Sequence, residues 1–266
     1  MTSVLESGSI EVAPLWGQAL RVLVTRADKT AFACTAVPAD GRWLVTDCLP
    51  ERQARDTAAN LLSVCDYLVS ERAAPATIVI APVFLDDELV AGGAQLQGRI
   101  VPMWLALDDD ILQMHTRPPT GAYELRPLAS TADALAALSA EPYVDSDRRV
   151  WHEVLSEEYG PLIDGACLQI AEAETVHAAI AITEYQGMPL AAHMVTAAGD
   201  RGKGLGRAAM VAALRGLRAA GYVDCRLNVA EENRVARRLY RSLGFVQHRP
   251  TLRVSELDRV QVDDVR

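Results

Sequence analysis

No apolar run in this 266-residue chain approaches the roughly 18 to 20 residues that a membrane span needs, so a soluble protein is expected. The opening MTSVLESGSIEV has no basic stretch ahead of an apolar one and carries Glu6 early, which argues against a secretory signal. Cysteine is scarce. The five residues (Cys34, Cys48, Cys65, Cys167 and Cys225) are odd in number, widely spaced and without a CxxC pair. That excludes a paired disulfide framework and a cysteine zinc site, and points to free thiols in a reducing, cytoplasmic setting. The five histidines give no ligand pair at helical spacing, and no metal is expected. Internal repeats and low-complexity tracts are absent too. What remains is a chain half apolar and 23% charged, ordinary for a globular protein and long enough for one large or two ordinary domains.

Positive charge is in short supply overall, with a formal net charge of −9. Phosphate backbones repel an acidic surface, so nucleic acid is not the expected partner. The distribution says more than the sum. Residues 201–250 hold eleven Lys and Arg against three acids (Asp224, Glu231 and Glu232), a local +8 that leaves −17 for the rest. A basic island in an acidic chain suits a small polyanion held at one place, or simply a solvated helix face.

Asp108-Asp109-Asp110 leads into HTRPPTGAYELRPL, where Pro118, Pro119 and Gly121 interrupt regular structure. A linker over 109–121 is expected, dividing the chain into 1–115 and 121–266. In the first part RVLVTRA and TAFACTAV read as strands, and 51–73 as a helix with Ala58, Leu61, Leu62, Cys65, Leu68 and Val69 on one stripe. ATIVIAPVF reads as a buried strand, LDDELVAGG as a short helix and RIVPMWLAL as a last strand. In the second part YELRPL is a strand, 132–138 and 147–158 are helices, and ACLQIAEAE, HAAIAITEY and MPLAAHMVTA are three strands. Gln186-Gly187 makes a tight hairpin between the last two. A helix over 204–220, the strand VDCRLNVA, a helix over 232–243 stopped by Gly244, and FVQHRPTLRV closing the sheet complete the pattern.

Chemistry concentrates in DRGKGLGRAAM, residues 200–210. A P-loop needs GxxxxGK[ST], and its tail is missing; a dinucleotide fingerprint needs GxGxxG, and the third glycine falls at the wrong offset. Arg201-x-x-Gly204-x-Gly206 between a strand and a helix remains. Small residues there let successive backbone N–H groups point outward at a helix N-terminus, where the dipole also favours an anion. Arg201, Lys203 and Arg207 add charge. An ordinary capped bend stays open beside the anion-site reading. About 25 residues on, LNVAEENRVARRLYRSLGF sets Val235, Ala236, Leu239, Tyr240 and Leu243 on one helical stripe. Leu239 and Phe245 read as core, whereas Asn233 and Tyr240 bring polar groups to the side facing the preceding strand.

The pairing of RGKGLG with NxxAxxLYxxLGF resembles the GNAT superfamily of acyl-CoA-dependent N-acyltransferases, and the element order over 121–255 is similar to that fold. The resemblance implies an α/β (α+β) fold with a mixed, mostly antiparallel sheet flanked by helices. The first part would then be a second, smaller α/β domain, possibly a degenerate module of the same kind; it lacks RxxGxG and is expected to bind no CoA.

The resemblance further implies acetyl-CoA or another acyl-CoA as cosubstrate, lying between two splayed strands. Met194, Val195 and Thr196 would present backbone groups to the pantetheine and thioester, with the N–H of Val195 or a neighbour as oxyanion donor. Arg201, Gly202, Lys203, Gly204, Leu205, Gly206 and Arg207 would surround the pyrophosphate, and Asn233 would contact the pantetheine arm. Tyr240 matches the position of the tyrosine that protonates the departing thiolate. Some members carry a glutamate base on the strand before the turn. Here that position falls near Leu190, which cannot serve, leaving His193, Glu184 or a water chain. The acceptor is expected to be a small-molecule or peptide amine, selected by residues 141–165, where Trp151, His152, Glu153, Glu157, Glu158 and Tyr159 lie. A monomer or homodimer without membrane or nucleic-acid partners is expected. The competing reading is a non-catalytic acyl-CoA-binding sensor or interaction module.

Overall fold

The computed structural model describes residues 3–5, 8–15, 17–26, 29–39, 42–49, 54–72, 76–114, 122–140 and 144–258. Most of the expected linker, 115–121, and the start of the expected acceptor region, 141–143, lie outside the described residues. The chain forms two compact units, one of Met1–Val101, Ala230–Glu232 and Arg249–Arg266, the other of Pro102–Val229 and Asn233–His248.

The first unit begins with five antiparallel strands, β1 (Ser3–Leu5), β2 (Gly8–Pro14), β3 (Leu20–Arg26), β4 (Lys29–Ala39) and β5 (Arg42–Leu49). Helix α1 (Ala54–Arg72) then carries the chain to β6 (Ala76–Pro82), which runs parallel to β5. Alternate residues on β3, β4 and β5 (Val22, Val24, Phe32, Cys34, Ala36, Trp43 and Val45) are buried in one cluster with Leu61, Val64, Cys65 and Leu68 of α1. A strand alternates faces every residue while a helix repeats every 3.6, so these two spacings meet on a single apolar layer. A short turn and α2 (Asp86–Ala91) lead to β7 (Gln95–Ala106), which contributes to both units.

In the second unit, α3 (Asp110–Gln113) is followed by β8 (Glu124–Pro127), α4 (Ala132–Ala136) and α5 (Val144–Leu155). Then come β9 (Leu168–Glu172), β10 (Thr175–Tyr185) and β11 (Met188–Thr196), α6 (Leu205–Ala219), β12 (Asp224–Ala230), α7 (Arg234–Ser242) and β13 (Val246–Gln247). The sheet runs β8-β9-β10-β11-β12-β7, with β13 against β7. It is antiparallel from β8 to β11 and parallel between β11 and β12. Gln186 and Gly187 both take positive φ, 54° and 73°, the backbone that a two-residue hairpin with right-handed strand twist requires. One face of the sheet packs Ala179, Ala181 and Val195 against Leu135 of α4 and Trp151 and Val154 of α5. The other face carries α6, whose Leu205, Ala209, Met210, Ala213, Leu214 and Leu217 are buried.

Two expectations are corrected. FVQHRPTLRV does not close the sheet of the second unit. Only Val246 and Gln247 pair there, with Trp104 and Met103 of β7. The chain then enters β14 (Leu252–Asp258), which inserts between β6 and β7 in the first unit. Neighbouring backbone groups of β6 and β7 would otherwise lack ladder partners. The Arg42–Glu256 pair at 2.7 Å and Arg253 on Asp86 Oδ2 at 2.8 Å fix its position. By compactness the two units exchange near Val101 within β7. The second helix of the acceptor side starts at Val144 and ends at Leu155, earlier than the expected 147–158, because Glu157 takes a positive φ of 60° that a helix cannot continue.

Gly216 in the middle of α6 shows how tightly that helix is seated. A Cβ there would lie 2.2 Å from the carbonyl oxygen of Gly165. Replacing a mid-helix glycine by alanine ordinarily gains about 1 kcal/mol; here a backbone carbonyl would have to move by more than an ångström. Gly216→Ala is therefore expected to destabilise the second unit by about 1–3 kcal/mol, read as an earlier urea transition.

Candidate active site

Strands β11 and β12 pair only at Leu190–Arg226 and Ala191–Leu227. The next residue, Ala192, is a bulge: Ala191 faces Ile182 on β10, and His193 faces Ala181. Beyond the bulge β11 stays on β10 and parts from β12. The N–H of Ala197 donates to His177 O at 2.8 Å, which sets the alternation of the ladder. The main-chain groups of His193 and Val195 are then directed to β10, and those of Met194 and Thr196 to the opening. The N–H of Val195, the expected oxyanion donor together with its neighbours, faces the ladder, and its side chain is buried against α4 and α5.

The glycine turn stands beside this opening. Gly202 and Gly204 have φ of 81° and 87°, a region closed to side chains without strain. Gly204 is the N-cap of α6 and supplies no side-chain cap, so the first-turn N–H groups of Leu205, Gly206 and Arg207 are left for a ligand or solvent. A Cβ on Gly206 would lie 3.1 Å from Thr196 Oγ1, 3.7 Å from the Met194 methyl and 3.9 Å from Leu239. The missing side chain lets α6 settle onto both the parted strand and α7. The nearby cations are engaged. Lys203 Nζ lies 2.5 Å from Asp200 Oδ1, Asp200 Oδ2 meets His177 Nδ1 at 2.6 Å, and Arg207 donates to Ser242 Oγ at 2.8 Å. Hydrogen bonds from Lys203 and His177 hold the Asp200 carboxyl below the usual carboxylate range. Arg201 is exposed.

Across the opening, Asn233 caps α7, its Oδ1 accepting from Ala236 N–H at 3.0 Å. At the other end Phe245 N–H donates to Tyr240 O and Gly244 N–H to Arg241 O, both at 3.0 Å, with Gly244 at φ 93°. This is a Schellman closure, and the Tyr240 and Phe245 rings make its apolar contact at 5.8 Å. Tyr240 is 9% exposed, and burial, with the nearby Cys225, pushes its phenol up to about 12. Val235, placed on the buried stripe by its spacing, is instead 83% exposed, because it lies in the first turn of a nine-residue helix.

The acceptor side differs from expectation more sharply. Trp151 is fully buried in the core, unavailable as an aromatic wall. Glu153 is also buried and accepts the Tyr159 hydroxyl at 2.7 Å, leaving that carboxylate with a structural task. Glu184 accepts the Tyr222 hydroxyl at 2.6 Å. His193, one residue past the bulge, sets its ring edge-on to Trp151 at 4.8 Å and its Nε2 3.6 Å from Asp147 Oδ1. Asp147 also takes the hydroxyl of Ser139. Neither Asp147 nor Ser139 was legible as a site residue, since nothing local ties them to a histidine more than forty positions away.

The second unit thus sets two parted parallel strands of a mixed sheet beside an uncapped, glycine-led helix. Residues 133–245 match the model of the acetyltransferase (GNAT) family, so the chain carries a GNAT domain, and acyl transfer in general is the reaction class that goes with it. Among solved structures it is similar to a tandem GNAT protein from the clavulanic acid biosynthesis pathway, with a TM-score of 0.62 and 14% identity over 94% of this chain and 86% of that one. It is also similar to a GCN5-related N-acetyltransferase from Sphaerobacter thermophilus (TM-score 0.62, 17% identity, 91% and 82% covered). A third is a GCN5-related N-acetyltransferase from Kribbella flavida (TM-score 0.55, 16%, 94% and 90%). At these identities the likeness is one of fold. Its coverage reaches both units, which fits a second GNAT-like module at the N-terminus. A search of curated protein sequences returned no match.

The capping bond gives Asn233 a role that needs no ligand. Asn233→Ala is expected to cost about 1 kcal/mol of stability in a denaturant titration, with Asn233→Asp keeping most of it.

Proposed function

We propose that this protein is an N-acetyltransferase that moves the acetyl group of acetyl-CoA to a primary amine of a small molecule or peptide. The observation that carries the reading is the parting of β11 from β12 beside the free N-terminus of α6. Backbone groups of Met194 and Thr196 would hold the pantetheine and thioester of the cosubstrate. The N–H groups of the turn and first helical residues would receive the pyrophosphate, an anion at a helix N-terminus. No protein metal is called for, and five free thiols favour a reducing compartment such as the cytoplasm.

In the reaction the amine nitrogen attacks the thioester carbon, forming a C–N bond and an oxyanion. An N–H of Met194 or Thr196 would stabilise that charge. Collapse breaks the C–S bond, and the thiolate of CoA takes the phenolic proton of Tyr240. A phenol raised to about 12 by burial stays protonated at neutral pH, as an acid must; because that value lies above a thiol's, the phenol hydrogen-bonds the leaving sulfur, and full proton transfer needs the buried thiolate to be raised as well. The amine must shed one proton as the amide forms.

Thiol release from acetyl-CoA with pooled primary amines, amino acids and peptides tests the reading. Amine-dependent release supports the enzyme; tight acetyl-CoA binding with no release from any amine favours the sensor. Tyr240→Phe is expected to lower turnover about 10- to 100-fold while calorimetric affinity for acetyl-CoA changes little, and equal turnover would remove the acid assignment. Gly204→Val is expected to abolish acetyl-CoA binding, because a branched side chain would be strained at φ 87° and fill the space before the helix. Unchanged binding would refute the cradle.

A further inference from the structure

Resting on the N-acyltransferase reading, one proton still needs a destination. We propose that His193 is the base that accepts the proton of the attacking amine and that Asp147 is the residue that positions and charges it.

The geometry has three parts. His193 follows the bulge at Ala192 directly and lies on the stretch of β11 that has left β12; its main-chain groups stay on β10, and those of the next residue, Met194, face the opening that would hold the thioester. Its ring is wedged edge-on against the fully buried Trp151, which restricts rotation. Its Nε2 is buried, has no hydrogen-bond partner among the described residues, and lies 3.6 Å from Asp147 Oδ1.

That distance is too long for a hydrogen bond to a neutral imidazole and short enough for an ion pair with an imidazolium. The pair therefore favours the state that exists after a proton has been accepted. Asp147 is prepared for this. Its other oxygen, Oδ2, receives the Ser139 hydroxyl, and only about a fifth of each side chain is exposed. Burial alone would push the Asp147 carboxyl up, but the nearby His193, the Ser139 hydroxyl and the charge of Arg201 hold it below the usual range. The carboxylate is thus anionic when the ring needs a counter-charge. In this proposal the neutral ring carries its proton on Nε2, facing Asp147, and its lone pair on Nδ1. As the C–N bond forms, the amine proton passes to Nδ1 and the C–S bond breaks toward a thiolate protonated by Tyr240. The imidazolium then returns its proton to solvent. Among the described residues, Asp147 and Trp151 of α5 meet the ring, and Ser139 and Arg201 act on Asp147.

The test uses the full chain with acetyl-CoA and the amine pool, measured as thiol release across pH 5.5–9. His193→Gln is expected to lower turnover about 100-fold with acetyl-CoA affinity retained. Asp147→Asn keeps shape and volume while removing the counter-charge. It is expected to reduce the plateau rate about 10-fold and to move the rising, acid-side limb of the rate profile to lower pH, because the imidazolium loses its partner. Asp147→Glu should restore part of both. Nuclear magnetic resonance of the His193 ring, titrated in the wild type and in Asp147→Asn, reads the same shift without an acceptor and shows whether the variant is folded. A limb and ring titration unmoved in Asp147→Asn, or full turnover in His193→Gln, overturns the pair while leaving the acyltransferase intact. A wild type that binds acetyl-CoA yet releases no thiol with any amine overturns the acyltransferase reading, and this proposal with it.

Discussion

Adjacent strands in a sheet ordinarily satisfy each other's backbone groups and leave no room between them. In the second unit β11 and β12 abandon that arrangement after two residue pairs, and much else follows from it. The extra residue at Ala192 keeps β11 on β10 while shifting its register, so the strand can leave β12 without losing its other partner. Unpaired main-chain groups are costly when buried; along this edge they can be met only by solvent or by a ligand that imitates a strand. The same shift sets His193 and Val195 toward α4 and α5, and Met194 and Thr196 toward α6. One inserted residue thereby separates a side that meets α4 and α5 from a side that meets α6.

Electrostatics around the opening depends less on free side-chain cations than the composition implies. The stretch of residues 201–250 carries a local +8 within a chain of −9, yet Lys203 is committed to Asp200 and Arg207 to Ser242. What the turn offers without breaking a bond is its backbone: glycines at positive φ and a first helical turn with no side-chain cap. Asp200 also ties His177 to the turn, so one carboxylate anchors the loop at the price of neutralising part of its charge. The exposed Arg201 and the arginines of α7 then supply a diffuse attraction, which steers a polyanion more than it grips one.

The parts that could be read from sequence are those in which local chemistry decides the backbone. Gly204 and Gly244 mark a helix start and a helix end because only glycine tolerates their φ, and Gln186-Gly187 makes a hairpin for the same reason. The long helix α1 and the strands of both units follow their apolar spacing. The misreadings share a different cause. Residues of β14 carry an ordinary strand pattern, and nothing within it says that its partners lie at residues 76–82 and 95–100. Trp151 and Glu153 look accessible on a charged helix, but their burial depends on how α5 is rolled onto the sheet. Ala192 is indistinguishable from its neighbours in MPLAAHMVTA, although it determines which N–H groups face the opening. Long-range pairing and helix roll are decided by the whole core, so the meeting of Asp147 with His193 was equally out of reach.

The motif NxxAxxLYxxLGF admits a structural account and a chemical one, and the geometry of α7 removes the need to choose. Asn233 holds the first turn through Ala236, and Gly244 closes the last through a pair of backbone bonds whose acceptors include Tyr240. Phe245 is brought back onto the Tyr240 ring by that closure, while Leu243 is wholly buried beneath it. A side chain at Gly244 would press on Leu105 at 3.2 Å, so the helix end is fitted to β7 as well as to itself. The consequence is a phenol with little rotational freedom, kept protonated by its burial, beside the parted strands. In the proposed reaction the helix stop would supply the orientation, while burial keeps the proton on the phenol and makes it a weaker donor. The structural residues of the motif are therefore the means by which Tyr240 would be held for its chemistry.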